Sequence, residues 1–302
     1  MFKSKEDRLL FISVAGALLF AVTGLVWGLS ANSRMIFFDG VYSFISVILS
    51  LMTFLAARYV KKRDDRNFPY GKLMIEPFVI LIKYAVITVL ILLAGIFAVS
   101  DLAAGGRDVA LGSALAYSVL STVACFGYVF YIRFKNREAI TNFVRAEMNQ
   151  WLMDGYLSLG VFAGFIGAVL LQGTGLDALV PFVDPILVLI VSLLLLKVPL
   201  VYMYRSFREI IGMSDTDETA GRVKAVVQKM ERQYKMKESF TRISRAGSGI
   251  YIDIDFVITA SCSAASVREQ DKLREILSAE LKEITGDPWL TVTFTADRKW
   301  AL

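Results

Sequence analysis

The sequence predicts an α-helical membrane protein: six transmembrane helices followed by a small cytoplasmic ferredoxin-like α+β domain of order αββαβ. Three observations carry this. The 302 residues are 56% hydrophobic and 20% charged, with mean hydropathy +0.56. That is too apolar for an ordinary soluble domain and too charged for a chain wholly in lipid. The N-terminal part holds six apolar runs close to the roughly 20 residues a spanning helix needs. After Arg208 the pattern changes to amphipathic and alternating segments.

The six runs lie at about 9–30, 36–58, 73–100, 110–132, 148–172 and 182–204. The first follows MFKSKEDRLLF. Basic residues ahead of a run long enough to span, with no small-residue cleavage site, predict a retained helix and not a signal peptide. A short link, Ala31 to Met35, joins the first two helices, and a longer charged one, Tyr59 to Lys72, joins the second and third. Lysines and arginines then set the orientation. Lys3, Lys5 and Arg8 precede the first helix. Arg58, Lys61, Lys62, Arg63, Arg66 and Lys72 fall between the second and third. Arg133, Lys135, Arg137 and Arg145 fall between the fourth and fifth, and Arg205 and Arg208 follow the sixth, against only Arg34 and Arg107 on the opposite side. Both termini are expected in the cytoplasm, of a bacterial inner (plasma) membrane. Lys61-Lys62-Arg63 fits contact with anionic lipid headgroups.

Residues 1–208 are thus expected to form the membrane domain and 209–302 a cytoplasmic one. Residues 216–234 place Ala220, Val223, Val226, Val227 and Met230 on one helical face. Phe240 to Ser244 reads as a strand, and Ala246-Gly247-Ser248-Gly249 as a turn. Ile250, Ile252, Ile254, Phe256 and Ile258 alternate with polar residues, as in a half-buried strand. Ser266-Val267-Arg268-Glu269 is a capping box opening a helix through about Ile284, and Leu290, Val292 and Phe294 mark the last strand. No P-loop, dinucleotide fingerprint or nucleophile elbow occurs in this part, which argues against an enzyme. The net charge of +5 is explained by the loops, and no basic stripe with interleaved aromatics suggests a nucleic-acid partner. Cys125 and Cys262 lie in an apolar run and in the polar tail, so no disulfide is expected and no redox compartment follows. There is no histidine.

Ionisable groups at membrane depth are functional candidates, because lipid does not solvate them. Asp39-Gly40-Val41-Tyr42-Ser43 and Asp154-Gly155-Tyr156-Leu157-Ser158 repeat one spacing in two helices of opposite direction. Asp39 lies about one turn in from the outer surface, with Ser43 and Ser46 on its face and Tyr42 bordering it. Asp154 shares a face with Gln150 and Ser158. Brought together, the two faces would form a pocket of hard oxygen donors suited to a cation. The plainer alternative makes each Asp an interfacial or packing group and Gly40 and Gly155 points of close helix contact. Lys83, near mid-depth, is either a counter-ion that the cation displaces from Asp154 or a permanent structural partner. Asp184, before Pro185, reads as a helix cap. Trp151 and Tyr156 read as packing or lipid-facing, and Asp64 and Asp65 as a solvated charge run beside Arg63 and Arg66.

Six helices, cytoplasmic termini and an αββαβ tail resemble the cation diffusion facilitator (cation efflux) family. The residues carrying the resemblance are Asp39 to Ser43, Phe68-Pro69-Tyr70-Gly71-Lys72 with Glu76, Asp154 to Ser158, and Asp184-Pro185-Ile186. It covers nearly the whole chain. It implies a homodimeric secondary transporter that exchanges a divalent metal cation for protons, without a resident cofactor. It also implies a transport site built jointly by helices two and five. The family's ligand positions fall on Tyr42 and Ser46 in helix two, and on Gln150 and Asp154 in helix five, with Gln150 where a histidine is usual. The chain is therefore an atypical member. The donor set of Asp39, Tyr42, Ser43, Ser46, Gln150 and Asp154, with cysteines expected far from it, favours Mn²⁺, Fe²⁺ or Mg²⁺ over Zn²⁺, with Co²⁺ undecided. With no histidine to titrate, proton coupling falls to Asp154 or Lys83, with Ser158 beside the former. Two alternatives stay open: a non-transporting membrane scaffold or regulator whose C-terminal domain binds partners, and transport of a substrate other than a metal.

Overall fold

The computed structural model describes residues 5–62, 64, 66–69, 71–135, 142–214, 218–247, 249–260 and 262–301. Side chains are described for all of these except 5–11, 50, 54, 57, 61, 135, 142–147 and 149. Lys3, Arg63, Asp65, Tyr70, Arg137 and Ser248 lie outside the described residues, as do the side chains of Lys5, Arg8, Lys61, Lys135 and Arg145.

The six apolar runs form helices α1 (Lys5–Ser30), α2 (Arg34–Lys61), α3 (Ile75–Ala103), α4 (Leu111–Lys135), α5 (Asn142–Leu171) and α6 (Val183–Ile210). Each contains a stretch long and apolar enough to cross a membrane. The protein is a multi-pass membrane protein. Their outward surfaces are apolar, as lipid contact requires: Leu19, Val89, Val123, Leu170 and Leu193 are all exposed.

Contacts divide the chain into two compact units, Met1–Met52 with Lys83–Val201, and Thr53–Ile82 with Tyr202–Leu302. The change of composition at 208 does not coincide with this division. The ends of α2 and α3 nearest their shared loop group with the C-terminal residues.

In the first unit, the α1–α2 reversal shows how three residues turn the chain. Asn32 adopts φ +52°, and Ser33 N donates to Gly28 O while Asn32 N donates to Leu29 O. This is a Schellman ending, with asparagine at the left-handed position. Ser33 then caps α2, its Oγ accepting from Ile36 N at 3.3 Å. Asp184, only 1% exposed, supplies the rest: it accepts from Ser33 Oγ (2.5 Å), Arg34 N (3.0 Å) and Met35 N (3.3 Å). Asp184 is expected to cap its own helix, but the bonds it makes here serve the start of α2. At the same end of the bundle, Arg34 Nε lies 2.9 Å and Arg107 Nη1 3.8 Å from Asp101 Oδ2. Arg107 N donates to Pro181 O, and Arg107 Nε to Asn32 O.

In the second unit, the α2–α3 loop folds around Lys72, whose side chain is 4% exposed. Its Nζ donates to Lys62 O at 3.1 Å and sits 4.0 Å from the Tyr59 ring centroid. Asp64 lies 3.7 Å from that ammonium. The Asn67 side-chain amide, donating to Asp64, holds its carboxyl below the usual range. Asp64 is thus engaged within its own loop.

The C-terminal part contains α7 (Glu218–Gln233), β1 (Glu238–Ala246), β2 (Gly249–Val257), α8 (Val267–Thr285) and β3 (Trp289–Thr295). The sheet order is β1-β2-β3, with β1 antiparallel and β3 parallel to β2. That is the arrangement left when a ferredoxin-like βαββαβ sheet lacks its first strand and the split unit closes up. Ile250, Ile252, Ile254 and Phe256 face a core with Val223, Val227, Met230, Leu273, Leu277 and Leu281. The β1–β2 turn needs glycine. Gly247 has φ +57°, and a Cβ there would stand 2.5 Å from Glu76 Cβ; its N donates to Glu209 Oε2 at 3.0 Å.

The predicted capping box is complete: Ser266 Oγ accepts from Glu269 N, and Glu269 Oε2 accepts from Ser266 N. These bonds, the Ser266 backbone N–H first, hold the Glu269 carboxyl below its usual value of 4.5. A depressed carboxylate stabilises the fold above its unfolded pKa, and that contribution is lost as pH falls through the folded value. We expect hydrogen-exchange protection of the first turn of α8 to fall below about pH 4.5 and to be regained on returning to neutrality. Glu269→Gln should abolish this acid-dependent step.

Candidate functional site

Asp39 is half-buried in the second turn of α2, five residues past Arg34 and about 8 Å along the axis. The residue after it explains its surroundings. A Cβ on Gly40 would stand 2.5 Å from Leu25 N and 2.7 Å from the carbonyl carbon of Gly24. α1 and α2 therefore touch backbone to backbone, as small residues allow in lipid. Through this contact a third helix reaches the carboxylate: Tyr117 of α4 donates its hydroxyl to Asp39 Oδ2 at 3.0 Å. A Cβ on Gly24 would stand 2.8 Å from that hydroxyl. The ring of Tyr117 is buried, 5.8 Å from that of Trp27, and Trp27 Nε1 donates to Ser113 O and Oγ.

Asp154 is half-buried on α5, which packs tightly on α4. A Cβ on Gly155 would stand 3.2 Å from Cys125 Cβ and 3.3 Å from the Phe126 ring. Ser158 shares a 2.7 Å hydrogen bond with Ser121 of α4. Tyr117, Ser121 and Cys125 recur every four residues, so they line one face of α4 over about 12 Å. Asp39 is held at the first of them. Asp154 and Asp39 both lie within electrostatic reach of Cys125 and of Tyr42.

The two carboxylates therefore share neighbours. Tyr42 and Cys125 lie within electrostatic reach of both, while the hydrogen bond of Asp39 goes to Tyr117. Among the described residues, no three of His, Cys, Asp and Glu gather into a metal-holding group. Ser43 and Ser46 are half-buried on α2, and Gln150 is exposed. Lys83 is half-buried, its Nζ 5.8 Å from the Tyr84 ring centroid. Trp151 packs as expected, donating to Ser13 Oγ at 2.8 Å, and Tyr156 is exposed. An apolar cleft of about 340 Å³ between α3 and α6, lined by Ile91, Ile96, Leu189 and Leu193, contains none of these polar groups.

One expectation is corrected. Cys125 is not far from the carboxylates; it backs onto Gly155 and faces the same polar stripe. Tyr117 and Ser121, which line this face of α4 with Cys125, carry no signal of their own, since neither is ionised at neutral pH. Their recurrence every four residues in an apolar helix was the available signal.

A search of curated proteins finds no match to this chain. The family model for the cation efflux transmembrane domain matches residues 10–211. That span takes in all six helices and both carboxylates, and on it the chain belongs to the cation efflux family of metal-cation transporters.

Proposed function

We propose that the protein is a secondary active transporter that exchanges a divalent metal cation for protons, with Asp39 and Asp154 as the groups that hold cation and proton in turn. The observation that carries this reading is the placement of two membrane-depth carboxylates along one polar stripe of α4, with Tyr42 and Cys125 as shared neighbours. A carboxylate offers a partly dehydrated cation both charge and oxygen donors. Once the cation leaves, the same oxygen can take a proton, which keeps an uncompensated charge out of lipid. Tyr42, Ser43 and Ser46 on α2, with Gln150 and Ser158 on α5, offer further oxygen or amide donors along the path. Without histidine, oxygen donors outnumber the single thiol of Cys125, which favours Mn²⁺ or Fe²⁺ over Zn²⁺. The working unit is a homodimer with both termini in the cytoplasm, an orientation supported by the lysines and arginines of the long loops.

Flux into proteoliposomes tests this directly. Purified protein is reconstituted and offered Mn²⁺, Fe²⁺, Co²⁺, Mg²⁺ or Zn²⁺, with and without an imposed pH gradient. Mn²⁺ or Fe²⁺ is expected to move fastest, and the lumen to become more alkaline as the cation enters and protons leave. Cation movement indifferent to the pH gradient, or no movement of any of the five ions, would refute the proposal.

A further inference from the structure

We infer that Tyr117 of α4 is a positioning residue for the transported cation: its hydroxyl fixes the orientation of the Asp39 carboxylate and leaves the other oxygen for the cation. This rests on the reading of Asp39 as a cation-holding group and adds to it a residue from a third helix.

The geometry is built for this contact. Tyr117 is only 3% exposed, and a buried phenol needs a hydrogen-bond acceptor. Its acceptor is Asp39 Oδ2 at 3.0 Å, although α1 and α2 close against each other beside that carboxylate. The hydroxyl occupies space that Gly24 leaves open: a Cβ at that position would stand 2.8 Å from it. The contact between Gly24 and Gly40 thus does more than bring two helices together. It also admits an α4 hydroxyl to an α2 carboxylate. The phenol ring cannot easily swing away, since it packs on Trp27, which is itself tied to Ser113 on the preceding turn of α4.

A carboxylate free to rotate must lose that freedom when it binds a cation. One already held by a donor on Oδ2 has lost it beforehand, and Oδ1 points in a fixed direction. Outer groups that orient a ligand in this way typically change metal affinity about 10–100-fold when removed. The hydroxyl also solvates the buried charge that the cation must find ready.

Tyr117→Phe removes the hydroxyl and keeps the ring. Equilibrium binding of Mn²⁺ and Co²⁺ to the purified full-length protein, saturation of flux in proteoliposomes, and thermal unfolding in detergent are measured together. We expect Kd and the half-saturating concentration to rise by about tenfold. Maximal flux should stay within about twofold, and the unfolding midpoint should be little changed. Ser118→Ala is the comparison: that buried serine is on the same turn of α4 but bonds Leu115 O of its own helix. It should leave Kd within about twofold. An unchanged Kd in Tyr117→Phe overturns the inference. So does an equal rise in Ser118→Ala, or a rise that only tracks a lowered unfolding midpoint, since either would show general packing at work. Asp39→Asn separates this inference from the reading it rests on. If Asp39→Asn abolishes binding while Tyr117→Phe binds normally, only the role of Tyr117 falls. If Asp39→Asn binds like the wild type, the assignment of Asp39 falls and Tyr117 with it.

Discussion

Asp154→Asn is expected to lower cation flux by roughly 100-fold or more, with the folded protein still recovered in normal yield. The substitution keeps the shape of the side chain and removes one unit of charge. At an effective dielectric near 20, a unit charge at 4 Å from a single positive charge contributes about 4 kcal/mol, and each 1.4 kcal/mol is a factor of ten. Part of this is offset, because a neutral amide costs less to bury than a carboxylate. What remains supports the 100-fold figure, and the double charge of the cation makes it a lower bound. Asp154 is within electrostatic reach of both Tyr42 and Cys125, so its loss alters the polar stripe. Fold is not the expected casualty, since the close packing of α5 on α4 runs through Gly155 and the Ser158–Ser121 bond. The measurement is initial flux per reconstituted protein, beside Tyr156→Phe, whose ring is exposed on another face of α5. Flux surviving Asp154→Asn would move the cation path away from α5. Tight zinc selectivity that survives Asp154→Ala would sink the case for a site of hard donors.

Much of the fold was legible because the signals that predict it are local. Hydropathy located the spans, and the helices run several residues past the apolar runs where polar residues continue them: the fifth run starts at about 148, while α5 begins at Asn142. Alternation found β2, and the serine–glutamate spacing found the start of α8. The site was legible only in part. Asp39 and Asp154 stood out because a charge in an apolar run is conspicuous within its own helix. What each meets is decided by other helices, and no periodicity within α2 or α5 encodes it. Gly40 illustrates this: its role is set by Gly24 and Leu25 on α1. Tyr117 is a further case, since a tyrosine in a span is ordinary until its hydroxyl is seen on Asp39. Cys125 was set aside on its position in the chain, which says nothing of distance in a bundle.

Asp184→Ala should destabilise the protein by about 3 kcal/mol, the largest stability effect we expect of a single truncation. The reason lies in α2. A helix start leaves four N–H groups without partners, and where that start is buried in protein water does not supply them. Here Gly28 O takes the N–H of Ser33, Asp184 takes those of Arg34 and Met35 together with the Ser33 hydroxyl, and Ser33 Oγ takes that of Ile36. Alanine leaves two backbone donors and a hydroxyl unsatisfied in a buried place, at about 1–3 kcal/mol for each group not rescued. It also removes a negative charge from the positive end of the helix, a further few tenths to 1 kcal/mol. The deletion of a costly buried carboxylate offsets some of this, which brings the net to the value given. Asp184→Asn keeps an acceptor oxygen but points an amide donor at the helix start, so about half the loss is expected. Thermal and denaturant unfolding in detergent measure both variants, and hydrogen exchange at Arg34 to Phe37 tests the location. An unfolding midpoint unchanged in Asp184→Ala, or faster exchange confined to α6, would show that the carboxylate stabilises something other than the start of α2. Because Asp39 lies only five residues beyond that start, a frayed first turn would also loosen the carboxylate that Tyr117 holds, and cation affinity should weaken along with stability.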